Sequence, residues 1–158
     1  MSTVRIFAVE NQLARVVEAP GGKTVDEHVR AATARIEGVR DASLASLVQK
    51  SEALAALAAE GRAAGSGDAL GRIYDLSNAI FGIAGAFDLQ PLAEATFSLC
   101  DLADGFRSGG SANWAAIDVH VDGIRLLAIL GDRAGEAGAA SILEGLRRVR
   151  QRVLPASG

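Results

Sequence analysis

Two histidines, one cysteine and a scatter of serines are the side chains best equipped for covalent chemistry in this chain. An imidazole can carry a proton or ligate a metal, a thiolate can attack, and a serine needs a base beside it. His28 stands among Asp26, Glu27 and Arg30 in the first turn of a predicted helix, which reads as a solvated face. His120 lies between Val119 and Val121 with Asp118 and Asp122 close by, which reads as a half-buried structural histidine. Cys100 has no second cysteine to pair with and sits in an apolar, periodic segment. A metal site needs several ligands at suitable spacing, and the pattern offers none. Gly-x-Ser-x-Gly is absent, since Gly65-Ser66-Gly67 reads as a loop. No phosphate-binding or dinucleotide glycine motif follows a strand. The residue types therefore predict no enzyme, no cofactor and no metal.

The segment Asn78-Ala79-Ile80-Phe81-Gly82-Ile83-Ala84-Gly85-Ala86-Phe87 is the most informative. It lies inside a predicted helix whose core stripe is Leu70, Ile73, Leu76, Ile80, Ala84 and Phe87. Phe81 is turned about 100° from Ile80 and shares its side of the helix with Asn78 and Tyr74. Tyr74, Asn78, Phe81, Gly82 and Gly85 thus form a second, mixed face, and they are the candidate partner-binding residues. Aromatic side chains with small neighbours suit a protein-binding patch. Phe81 could instead pack beneath the N-terminal arm. Gly82 and Gly85 each cost a helix about 1 kcal/mol, so each needs a reason. One reason is close approach by a partner, the other close packing between helices.

This segment resembles the central helix of a histidine-phosphotransfer (Hpt) domain, whose motif is His-x-x-Lys-Gly followed by small residues. The trailing match is Ala84-Gly85-Ala86-Phe87-Asp88-Leu89-Gln90-Pro91-Leu92. It places Asn78 at the phosphoaccepting position, Phe81 at the lysine and Gly82 at the glycine. The Ser-Leu-Cys-Asp-Leu run and the N-terminal extension further resemble CheE-like bacterial chemotaxis proteins. The resemblance implies an all-α, antiparallel four-helix bundle that docks on response-regulator receiver domains or another chemotaxis component. It also implies lost chemistry, because a carboxamide cannot carry phosphate as an imidazole can. The expected function is a non-catalytic adaptor. Neither His28 nor His120 has Lys-Gly at the family's offsets; an active phosphotransfer protein using either one is the first alternative.

The elements that must position these residues follow from periodicity. Residues 1–23 are expected to form an arm, with Val4 to Val17 a short strand or helix and Pro20-Gly21-Gly22 a break. Residues 24–154 are expected to form one helical domain. Thr24 and Glu27 make a capping box. Val25, Val29, Ala32, Ile36 and Val39 open a stripe that Leu44, Leu47, Leu54 and Leu57 continue. A helix of this length must break near Gly38 or project; a homodimer through the 24–61 helix is the second alternative. Asp68 is expected to cap the next helix and Pro91 to sit in the first turn of the third. The third helix carries Leu92, Ala95, Leu99, Leu102 and Phe106. The fourth runs from about Ala112 to Leu130 with Trp114, Ile117, Val121, Ile124 and Leu127 inward. Residues 131–138 read as a loop. An additional C-terminal helix presents Ile142, Leu146, Val149 and Val153 and stops at Pro155.

Composition agrees with a helical domain. Of 158 residues, 49% are hydrophobic but only 4% aromatic, with alanine dominant. Alanine is the best helix former. A formal net charge of -3 argues against general nucleic-acid binding. Glu144, Arg147, Arg148, Arg150 and Arg152 make the last helix basic at its end, which suits either the helix dipole or an acidic partner. No apolar run approaches the roughly 20 residues of a membrane helix, and the N-terminus lacks the apolar core of a signal peptide. With one unpaired cysteine, a reducing cytoplasmic setting is expected.

Overall fold

A computed structural model describes residues 22, 24–65, 67–109 and 111–154, and every regular element among them is helical. The expected arm at 1–23 and the stop at Pro155 lie outside the described residues. The helices are α1 (Val25–Ala64), α2 (Asp68–Ala86), α3 (Gln90–Gly109), α4 (Trp114–Leu130) and α5 (Gly135–Val153), with a single 3-10 turn at Gly131–Ala134. The chain divides between Gly38 and Val39, inside α1, into two units.

In the first unit, the capping box forms. The Thr24 amide donates to the Glu27 carboxylate at 2.6 Å, and the Glu27 amide donates to Thr24 Oγ1 at 3.3 Å. Such a cap is worth about 0.5–2 kcal/mol. The helix does not break near Gly38, because α1 is continuous over 40 residues. Val25, Val29, Ala32 and Ile36 keep their helical spacing but are exposed, so periodicity alone did not bury them.

In the second unit, the stripe continued by Leu47, Leu54 and Ala58 is buried. α3 is the most enclosed helix, with ten buried residues including Leu92, Ala95, Leu99, Leu102 and Phe106. It packs against α2, α4 and α5. Polar atoms that enter this core are mostly satisfied locally. Ser51 donates to the Val48 carbonyl at 2.7 Å, and Thr96 to the Leu92 carbonyl at 2.8 Å.

Contacts fix the sense of each helix pair. Phe81 meets Phe97, while Tyr74 meets Cys100, so α2 and α3 run antiparallel. Glu52 binds Arg125 with both carboxylate oxygens at 2.8 Å, and Arg62 binds Asp118, so α1 and α4 are also antiparallel here. Glu60 pairs with Arg72 at 3.0 Å across the α1–α2 corner. On α5, Arg147 reaches Glu94 at 2.7 Å and Arg150 reaches Asp101 at 2.9 Å, so α3 and α5 run in the same sense. These pairs are exposed to solvent, which screens them. They mark register more than they supply stability.

Several boundaries differ from the sequence expectation. Gly67, not Asp68, holds the N-cap position of α2, and it provides no side-chain cap. Asn113 caps α4 by accepting the Ala116 amide at 3.1 Å, so that helix begins at Trp114 rather than near Ala112. Residues 131–138 are not a loop: the 3-10 turn passes directly into α5 through Gly135 at φ +62°. Glycine and alanine propensities missed this because the turn is set by how α5 packs on α4, where Gly123 faces Leu146 and Ile142.

Among the described glycines, Gly61 has the closest neighbours. A Cβ there would lie 2.7 Å from the Ala69 Cβ and would enter the Trp114 ring. At Gly71 an added Cβ meets nothing within 4 Å. Gly61→Ala should therefore lower stability by about 1–3 kcal/mol through overpacking, although alanine is the better helix former by about 1 kcal/mol. Gly71→Ala should raise stability by up to about 1 kcal/mol. Urea midpoints of the two variants read this directly, and a raised midpoint for Gly61→Ala contradicts the close packing.

Candidate functional site

The turn between α2 and α3 sets the site. After Ala84, the amides of Phe87 and Leu89 both donate to the Ala84 carbonyl, and Asp88 adopts φ +58°. Aspartate tolerates this left-handed conformation better than most residues. Leu89 is then buried, and Pro91 falls in the first turn of α3. The hairpin so closed places Phe81 beside Phe97, with ring centroids 6.0 Å apart and planes tilted by 45°. Phe81 remains 40% exposed and Phe97 53% exposed.

Between α2 and α3 lies an open groove of about 240 Å³. Tyr74, Asn78 and Phe81 line it from α2; Phe97, Cys100, Asp101 and Asp104 line it from α3. Three of the five sequence-predicted residues thus converge. Gly82 and Gly85 do not line the groove but are exposed on the same helix, and a Cβ at either meets nothing within 4 Å. Helix packing therefore does not require them. Each is retained at a cost of about 1 kcal/mol to α2, and the space above them is open to an approaching surface.

Phe97 was missed in the sequence, yet it left a signal. It falls off the stripe Leu92, Ala95, Leu99, Leu102 and Phe106, all of which are buried. A large aromatic outside a core stripe is what Phe81 also shows. Cys100 is buried, with Sγ 3.8 Å from the Tyr74 carbonyl oxygen. Burial, reinforced by the Asp101 charge, pushes its thiol up to about 11. It is a protonated packing residue at neutral pH rather than a nucleophile.

The electrostatics around Asn78 are one-sided. From Ile73 to Phe106 the sequence contains no lysine, arginine or histidine. Asp101 is matched by Arg150 and Glu94 by Arg147. Phosphoryl transfer relies on cations to offset charge on the transferring group, and neither helix of this hairpin supplies one beside Asn78.

Neither histidine lines the groove. His28 is exposed on α1. His120 is 0% exposed, inside the packed core. Its Nδ1 lies 2.9 Å from the Ala116 carbonyl oxygen and its Nε2 lies 3.1 Å from Ser98 Oγ. A carbonyl only accepts, so Nδ1 carries the proton and Nε2 accepts from the Ser98 hydroxyl. Both ring nitrogens are occupied and neither reaches solvent. Three of the four arginines of α5 are likewise engaged: Arg147 and Arg150 pair with α3, and Arg148 donates to Glu144 at 2.9 Å. Among the described residues no group of three or more acidic, histidine or cysteine side chains could hold a metal ion. No described helix is long and apolar enough to cross a membrane.

Comparison with protein-family models, with characterised proteins and with solved structures gives no match. The reading of the site accordingly stands on the residues and their geometry.

Burial lowers the His120 pKa from its ordinary 6.5, opposed by the Ala116 carbonyl and assisted by Arg150. Below pH 6.5 the unfolded chain therefore binds a proton that the folded chain resists, and stability falls as pH falls. Thermal midpoints should be flat above that pH and decline beneath it. His120→Gln should remove this step, which a pH series on both proteins measures. An unchanged decline in the variant would place the titration elsewhere.

Proposed function

We propose that this protein is a non-catalytic, Hpt-like adaptor of bacterial two-component or chemotaxis signalling. Its α2–α3 face docks a receiver domain, and it does not accept phosphate. The observation that carries this reading is the pair Phe81 and Phe97. Both are large, apolar and solvent-facing, and they flank Asn78 next to glycines that the fold does not need. The antiparallel pairs α2–α3 and α1–α4 support a four-helix bundle built from the later part of α1 with α2, α3 and α4, and with α5 as the additional helix. Asn78, Phe81 and the missing cations support the loss of chemistry. One cysteine with no second to pair with fits a cytoplasmic setting.

Incubation with a phosphorylated receiver domain should leave no acid-labile, base-stable phosphate on this chain. Label that disappears in His28→Ala or His120→Ala would establish active relay instead. In calorimetry against the receiver, Phe81→Ala should weaken binding tenfold or more, since burying a phenylalanine is worth roughly 1.5–3 kcal/mol. Gly82→Arg should block docking while sparing the fold. Intact binding in both variants moves the interface off α2.

A second reading, dimerisation through α1, is favoured by one observation. Val25, Val29 and Ile36 form an exposed apolar stripe on a helix segment. Isolated helices of that length are marginal in water. Light scattering over a concentration series should then show a dimer that Ile36→Asp dissociates without changing the thermal midpoint. A monomer throughout removes this reading.

A further inference from the structure

We propose that the groove between α2 and α3 receives the guanidinium group of an arginine presented by the partner, a specificity that rests on the docking reading of the same face. The groove volume of about 240 Å³ suits one inserted side chain rather than a strand or helix. Its lining combines the rings of Tyr74, Phe81 and Phe97 with the carboxylates of Asp101 and Asp104 and the amide of Asn78. Aromatic faces attract cations, most of all the planar guanidinium, which stacks and donates hydrogen bonds at once.

Charge narrows the occupant further. Asp101 is already paired with Arg150 at 2.9 Å, whereas Asp104 makes no ion pair among the described residues. Arg107, one turn on along α3, is exposed and forms no ion pair with it among the described residues, and no cation lies between Ile73 and Phe106. Arg150 is therefore the charge on the neighbouring helix that approaches this lining, and its bond to Asp101 is made. An anionic group in the groove would meet the Asp104 carboxylate, which no ion pair among the described residues offsets. A wholly apolar side chain would cover that carboxylate and leave it without a hydrogen-bond donor, a loss that buried charges do not tolerate. An arginine meets both demands: its stem and plane lie along the rings, and its N–H groups face Asp104 and Asn78. The Cys100 thiol, protonated at neutral pH, adds no competing anion.

The experiment titrates the isotopically labelled full chain with N-acetyl-arginine methylamide and, separately, with its neutral isostere N-acetyl-citrulline methylamide, followed by NMR at low salt. The arginine probe should shift the Asn78 side-chain amide and the backbone of Phe81, Phe97 and Asp104. The citrulline probe should bind at least roughly tenfold more weakly, and Asp104→Asn should erase that difference. Phe97→Ala should weaken the arginine probe without abolishing the fold, which the dispersed spectrum reports. Equal binding of the two probes, shifts that map away from the groove, or an unaltered preference in Asp104→Asn would each overturn the proposal. Receiver docking that survives while the probes fail removes the arginine anchor and keeps the docking face. Arginine selectivity without receiver binding keeps the anchor and removes the receiver as its source.

Discussion

The enclosure of α3 is the constraint on which the second unit depends. This helix packs on α2, α4 and α5 at once, and its buried positions cover most of its circumference. What remains uncovered is a narrow strip containing Glu94, Phe97, Asp101 and Asp104. Glu94 and Asp101 are answered by arginines of α5, and Phe97, Asp101 and Asp104 line the groove. A helix with so little free surface cannot rotate without burying a charge or exposing leucines. The strip, and with it one wall of the candidate site, is held by hydrophobic packing on the other sides. Burying one such side chain is worth roughly 1.5–3 kcal/mol.

The other wall depends on the hairpin turn. Asp88 in a left-handed conformation and the paired amides on the Ala84 carbonyl fix where α2 ends. That end point sets the register at which Phe81 passes Phe97. A slip of one residue would carry Phe81 about 100° around α2 and would separate the rings. Small residues act at the opposite end of the same helix. Gly61 and Ala69 let α1 approach α2 beneath Trp114. Close packing there and openness at Gly82 and Gly85 are two uses of glycine within one bundle, distinguished by what surrounds each.

The proposed adaptor role, docking without phosphotransfer, is physically coherent. Phosphotransfer asks for an accessible imidazole and a nearby cation. On α2 the proposed acceptor position, Asn78, holds a carboxamide; His120 is locked between Ser98 and Ala116, and the exposed His28 does not line the groove. Recognition asks only for exposed apolar area and matched polar groups. Those are present in Phe81, Phe97, Asn78 and Asp104.

Much of this protein was determined by sequence alone. The 3.6-residue period marked all five helices and the buried stripes of α2, α3 and α4, because a stripe of leucine and isoleucine must leave water wherever a partner surface exists. The capping box at Thr24 and Glu27 was legible because both partners lie within one turn. So was the odd position of Phe81 beside Asn78. Tertiary structure decided what spacing cannot encode. The stripe at Val25, Val29 and Ile36 has the right period and stays exposed, since burial depends on a neighbour rather than on periodicity. The start of α5 at Gly135 replaced an expected loop because packing against α4 outweighed glycine's weak propensity. Phe97 joined the site only through the hairpin register, as it lies sixteen residues from Phe81 in the sequence and 6.0 Å away in space. His120 looked half-buried between two charged neighbours, yet it shares the buried side of α4 with Ile117 and Ile124 and lies wholly in the core. Local rules fix which face of a helix is apolar; only the assembled helices fix which faces meet.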